Sequence, residues 1–347
     1  MHVLWVILWI IYMTKKMNRF LTALICLAVT ACTGTIDPEG DVDDGTLVLI
    51  PDVEKFFADG KSVVTFTVMD EDADVTGDAV VTCITTGQNV EDAAFSTDQT
   101  GEYKFIASYN GKVSQPESVV AMFKSQFERK VCVMEFTGTW CAQCPAGATI
   151  LNFLASSMYK GEVNVLAFHN DDEYSLPVEQ LLAAKYNPSG LYPYYLTDMR
   201  DSGELNGNGC SDSIYKSLYE TETFCGPSVS CVYDETSGDV SVAAKVISEK
   251  TMEFRLAVYV VEDKVVGEQM QGTGTVDKGY VHRHVVRKML SVDYSGDRLG
   301  EIAAGNEVDK TYSFKVDPSW NPANVSVVIL AIGPDGQVSN SASVKII

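Results

Sequence analysis

Cys141 and Cys144, spaced Cys-x-x-Cys, are the residues of this chain best suited to do chemistry. Trp140 precedes them and Pro145 follows. A thiol at a helix start faces unpaired backbone N–H groups and the positive end of the helix dipole, which favour the thiolate. Cys141 is therefore expected to attack a partner disulfide, and Cys144, one helical turn on, to resolve the mixed disulfide. Zinc is the competing reading, but a structural site normally takes four ligands and no second Cys-x-x-Cys or Cys-x-x-His exists. Haem attachment fails because residue 145 is proline. A disulfide that never turns over stays open as the third reading.

Two further groups bear on that chemistry. Glu135 lies six residues before Cys141 in an apolar run, where a carboxylate is costly unless used or paired. It reads equally as a proton acceptor for Cys144 and as a hydrogen-bonded structural acid. His169 ends a second apolar run and opens His169-Asn170-Asp171-Asp172. In a parallel sheet that end shares an edge with the cysteines, and His169 could tune or shuttle protons. A loop histidine without a role is the alternative.

The elements that must position these groups follow from pattern. Val131–Phe136 and Val163–Phe168 read as strands buried on both faces. Between them Ile150, Leu151, Leu154 and Met158 recur at helical spacing, and a second helix is expected around 178–186. Strand, helix, strand, helix argues for an α/β layer. With Trp-Cys-x-x-Cys at a strand-to-helix junction and Gly190-x-x-Pro193 opening a later strand, residues 127–223 resemble the thioredoxin fold. The resemblance implies that Pro193 is cis and packs beside the two sulfurs, with Tyr192 before it. It also places Glu135 where thioredoxins carry a buried aspartate.

The flanks differ. Lys15, Lys16 and Arg19, the apolar run Phe20–Val29 and then Thr30-Ala31-Cys32 have the order of a secretory signal. Those residues resemble a bacterial lipobox, which implies lipid on Cys32 and removal of residues 1–31. The apolar stretch before the charges does not fit, so the natural start is expected at Met13 or Met17, a membrane hairpin being the alternative. Residues 32–45 are acidic and rich in Gly and Thr, and read as a flexible tether. Residues 46–126 carry short strand patterns separated by turn signals and resemble a bacterial immunoglobulin-like β-sandwich module. The thioredoxin-like segment is expected over 127–226 and a C-terminal β-sandwich over 227–347. The expected fold class is thus multidomain α+β: immunoglobulin-like sandwich, thioredoxin-like α/β domain, C-terminal sandwich.

Nine cysteines include Cys26 in the leader and Cys32, leaving an odd number in an exported chain. A local bridge among Cys210, Cys225 and Cys231 is possible, with the pairing not deducible. His282 and His284 flank Arg283 and read as a structural polar cluster rather than a metal site. With 47 acidic against 26 basic residues and a formal net charge of −21, nucleic acid is excluded as a natural partner.

The lipobox, Thr-Gly-Thr-Trp-Cys-x-x-Cys-Pro, His169-Asn170-x-Asp172, Tyr280-Val281-His282-x-His284-Val285-Val286-Arg287 and Trp320-Asn321-Pro322 together resemble the 28-kDa outer-membrane-protein family of Bacteroidetes lipoproteins. That resemblance implies an outer-membrane lipoprotein facing the periplasm or the surface. Two functions follow. One is a thiol–disulfide oxidoreductase acting on exported protein thiols and disulfides with a separate redox partner. The other is a cell-surface binding or adhesion lipoprotein that uses the thioredoxin fold as scaffold. Neither calls for a cofactor or a metal.

Overall fold

The computed structural model describes residues 47–347, so the leader, Cys32 and the tether fall outside the described residues. The first strands are β1 (Leu47–Pro51), β2 (Lys55–Phe57), β3 (Val64–Asp70), β4 (Ala73–Asp74), β5 (Val80–Cys83), β6 (Gln88–Val90), β7 (Ala94–Phe95), β8 (Gly101–Tyr109), β9 (Lys112–Val113) and β10 (Glu117–Met122). Strand β3 alternates Val64, Phe66 and Val68 inward with Thr65 and Thr67 outward, as one buried face requires. The four-stranded sheet around β1 and β3 and the six-stranded sheet around β8 and β10 close on one core, which includes Leu49, Phe66, Phe105 and Val119.

The remaining chain supplies β11 (Val131–Thr137), α1 (Cys144–Phe153), β12 (Val163–His169), α2 (Pro177–Tyr186), β13 (Tyr194–Thr197), β14 (Asp201–Glu204) and α3 (Gly207–Tyr219). Strands β15 (Cys225–Tyr233), β16 (Asp239–Ser248), β17 (Met252–Glu262), β18 (Val265–Met270), β19 (Val276–His282) and β20 (Val285–Met289) follow. The last are β21 (Asp297–Ile302), β22 (Glu307–Lys315), β23 (Val325–Ile332) and β24 (Val338–Lys345).

The expected fold class is corrected here. The chain does not form the expected thioredoxin-like α/β domain beside a C-terminal sandwich. The described residues are mostly strand. One nine-stranded sheet runs β14-β13-β11-β12-β20-β17-β23-β24, with β21 also paired to β17. Its join is at β12, where Ala167 pairs in parallel with Val285 and its N–H donates to the His284 carbonyl at 2.8 Å. Strands separated by more than a hundred residues thus share one sheet. Periodicity reports which face of a strand is buried but not which distant strand pairs with its edge.

The two faces of this sheet are covered differently along its length. Even-numbered residues of β11 (Cys132, Met134, Phe136) join Leu182 of α2, Tyr259 of β17 and Leu330 of β23 in one core. Odd-numbered residues (Val131, Val133) pack with Leu151 of α1 and Ile214 of α3 on the other face. Farther along, the three-stranded sheet β15-β16-β22 covers β17 and β23 through Val242, Val246, Phe254 and Ile329. Among the described residues the hairpin β18–β19 joins neither sheet, its two strands pairing with each other.

Candidate functional site

Strand β11 is buried along its whole length, and Glu135, two residues from its end, is 4% exposed. Its Oε1 has no hydrogen-bond partner, and burial pushes its carboxyl up to about 8. The chain leaves β11 through Gly138–Cys141 and enters α1 at Cys144. Helix α1 therefore starts at Cys144 and not at Cys141, which lies in the turn before it. Cys141 and Cys144 are joined by a disulfide. The Cys144 N–H donates to Cys141 Sγ at 3.1 Å, and both residues are buried, at 4% and 1% exposure.

The turn is held from three sides. The Trp140 indole donates to the Asn170 carbonyl at 2.8 Å, yet the residue remains 48% exposed. A side chain at Gly138 would put its Cβ 2.6 Å from Trp140 Nε1, so only glycine lets the indole fold back. The Thr139 N–H donates to Asp172 Oδ2 at 2.8 Å. From the far end of the sequence, Gln269 Nε2 donates to the carbonyls of Cys141 at 2.9 Å and Gly138 at 3.3 Å. The Met270 N–H donates to the Thr139 carbonyl at 2.7 Å.

Pro193 lies beside α1, and the Tyr192–Pro193 peptide bond is cis. A Cβ at Gly147 would come within 2.8 Å of the Pro193 ring, so the missing side chain of α1 makes room for it. The Tyr192 ring meets Trp140 edge to face at 5.4 Å between centroids. Its hydroxyl donates to Glu179 Oε1 at 2.6 Å, while Asn170 Nδ2 donates to Glu179 Oε2 at 2.8 Å. Glu179, buried on α2, thus links the loop that carries Asn170 to the segment that carries Tyr192.

His169 ends β12 and pairs through Nδ1 with Asp172 Oδ2 at 2.7 Å. Burial works to raise the Asp172 carboxyl, but the hydrogen bond and charge of His169, with the Thr139 and Tyr174 N–H groups, hold it below the ordinary range. The His169 ring lies 5.3 Å from His282 and 5.0 Å from Tyr174. Arg287 stands between the rings of Tyr174 and Trp320, at 5.3 and 5.4 Å, and pairs with Glu262 Oε2 at 2.9 Å. The Asn321 N–H donates to Glu262 Oε1 at 2.8 Å. So the Tyr280–Arg287 and Trp320–Pro322 motifs converge on the wall behind His169.

Structure and sequence reading meet unevenly. Glu135, Trp140, Cys141, Cys144, His169 and Pro193 come together at one end of β11 and β12. Gln269, His282, Glu179 and Asp172 also belong there, and the residue-level reading did not assign them to the site. Glu179 had a signal, a carboxylate beside Val178 on the buried stripe of a helix. Gln269 had none. Cys210, Cys225 and Cys231 are free thiols, with no bridge among them. Among the described residues no group of three or more His, Cys, Asp or Glu side chains is placed to hold a metal ion.

Residues 212–347 match the family of the outer membrane protein Omp28. That segment contains the hairpin, the Arg287 cluster and the whole C-terminal half of the large sheet. Among solved structures, HBP35 of Porphyromonas gingivalis is similar at 19% identity, over 64% of this chain and 77% of that chain, with a TM-score of 0.53. At that identity the likeness is one of fold. A DUF4785 family protein of Legionella pneumophila aligns at 8% identity over 86% of this chain and 55% of its own, with a TM-score of 0.29. No curated protein matches the chain. The protein belongs to the cell envelope, at the outer membrane. No helix among the described residues is long and apolar enough to cross a membrane.

Proposed function

We propose that this is an outer-membrane binding lipoprotein, anchored through Cys32, that holds exported polypeptides at the edge formed by Trp140, Leu191 and Tyr192. The observation that carries this reading is the match of residues 212–347 to an outer-membrane family. It is that segment which clamps the turn presenting Trp140. Trp140 and Leu191 are exposed large apolar residues, at 48% and 45%. An exposed indole fixed by a hydrogen bond and packed edge to face on the Tyr192 ring suits an anchor for extended chain. Lipid on Cys32 would leave the acidic segment 33–45 as the tether to the first domain. Replacing Cys32 by alanine should move the protein from the outer-membrane fraction to the soluble envelope fraction. Mass spectrometry of the membrane-extracted wild type should find an acylated N-terminal cysteine. Unchanged membrane attachment of the Cys32→Ala chain would contradict the anchor.

A second reading is compatible with the first: thiol–disulfide exchange with the bound polypeptide through Cys141 and Cys144. What favours it is the closure of the pair as a disulfide near a buried carboxyl whose Oε1 has no hydrogen-bond partner among the described residues. Cys141 would form the mixed disulfide and Cys144 would resolve it.

A further inference from the structure

Behind Cys144 lies a cavity of about 120 Å³, lined among others by Glu135, Cys144, His169, Gln269, Tyr280 and His282. It has room for several water molecules. Its walls have two origins. Glu135, Cys144 and His169 come from the segment that carries the disulfide, whereas Gln269, Tyr280 and His282 come from the hairpin β18–β19. That hairpin is inverted relative to an ordinary surface ribbon. It buries Gln269 and His282 and leaves Val266 and Val281 exposed, at 66% and 43%. Burying polar side chains is costly unless they meet partners. Gln269 meets the Gly138 and Cys141 carbonyls and His282 that of Glu268, and both line the cavity that Glu135 also lines.

We infer that His282 of the hairpin is a positioning residue for proton transfer, through which Glu135 gives up its own proton to water before it accepts that of Cys144. The inference rests on the exchange reading above. In that reaction the reduced protein meets a partner disulfide. The Cys141 thiolate attacks one sulfur, a mixed disulfide forms and one partner thiolate leaves. Glu135, as carboxylate, then takes the proton of Cys144. The Cys144 thiolate attacks Cys141 Sγ, the internal disulfide forms and the second partner thiolate leaves and is protonated by solvent. Two protein thiols are oxidised and one partner disulfide is reduced. Glu135 can act in this way only after its own proton has reached water, from a site 4% exposed.

His282 is placed for that step. Its Nε2 lies 3.3 Å from the Glu268 carbonyl, and as donor there it leaves Nδ1 free to accept. Burial, and then the neighbouring His169, pull its pKa down to about 4, so it is neutral near pH 7. The Tyr280 ring packs on it at 4.8 Å. Other ionisable groups around Glu135 are Cys144 on α1, Cys210 on α3, Tyr195 on β13, His169 on β12 and Arg283 at the cavity wall. Of these His169 is held by Asp172, and Cys210 and Tyr195 stay protonated because burial raises both.

The test uses the full chain, reduced, with glutathione disulfide as oxidant. Closure of the Cys141–Cys144 bond is followed by acid quench, alkylation and mass, from pH 5 to 9. His282→Gln should slow closure at pH 7 by about tenfold or more and change its pH profile. His282→Asn, a second neutral replacement, should slow it likewise and serves where His282→Gln does not fold. In both variants the rate at which iodoacetamide labels Cys141 should match wild type. Closure rates and profiles that superimpose on wild type would overturn the inference alone. A folded wild-type chain that never closes would overturn the exchange reading, and the inference with it.

Discussion

Replacing Asp198 by alanine is expected to cost the fold about 3–5 kcal/mol, because it strands a buried guanidinium. Asp198 Oδ2 pairs with Arg129 Nη2 at 2.8 Å, and the two side chains are 1% and 6% exposed. The other carboxylate oxygen accepts the Cys132 N–H of β11 at 2.8 Å, and Ser217 of α3 donates to Oδ2. Arg129 Nη1 reaches the Ser339 carbonyl of β24 at 2.5 Å. This pair therefore sits on the seam between the disulfide-bearing segment and the C-terminal strands. Around it Val338 N–H donates to the Asp198 carbonyl, Lys130 N–H to Asn340 Oδ1, and Asn164 Nδ2 to Ser341 Oγ. Urea unfolding read by tryptophan fluorescence should show the midpoint falling with the slope unchanged. Arg129→Met combined with Asp198→Leu should recover much of the loss, since removing both charges leaves neither unpaired. A single Asp198→Ala variant as stable as wild type would mean that the seam contributes little.

The second large effect is one of pH. Glu135 has its carboxyl raised from an ordinary 4.5 to about 8 by burial. The folded chain thus holds this proton more tightly than the unfolded chain does. The resulting stabilisation is fully present below about pH 4.5 and is lost as pH rises through about 8. Above that the ionised group costs the fold about 3–5 kcal/mol relative to a neutral isostere. Glu135→Gln should then melt with wild type near pH 4.5 and several degrees above it at pH 9. His282 acts in the opposite window. Its pKa is lowered from 6.5 to about 4, so the stabilisation it gives is lost as pH falls through that range. Both chains keep His282, so the difference between their melting curves isolates Glu135. Equal melting temperatures at every pH would show that Glu135 is not held neutral in the fold.

How much of this was legible in the sequence depends on the range of the interaction. Val131–Thr137 could be read as a doubly buried strand because every residue of it is apolar or small except Glu135, and that exception marked the acid. Trp140, Cys141 and Cys144 were legible from spacing within four positions. The pairing of β12 with β20 was not, since Ala167 and Val285 carry no mark of each other. That one contact turns an expected separate α/β domain into part of a nine-stranded sheet. Gln269 was silent for the same reason. Its distant partners are two backbone carbonyls about 130 residues away, beside that of Met270, and carbonyls have no sequence signature. His282 read as a polar cluster on a strand, but only the fold shows that this strand lies against His169 and the Glu135 cavity.

The central claim is that the edge at Trp140 binds polypeptide whether or not the cysteines react. Titrating the full mature chain, in detergent, with an unfolded polypeptide free of cysteine tests it most directly. Wild type and a Cys141→Ser/Cys144→Ser chain should bind with equal affinity, and Trp140→Ala should bind at least about tenfold more weakly. A wild-type chain that ignores this polypeptide and acts only on one carrying a disulfide would contradict the claim.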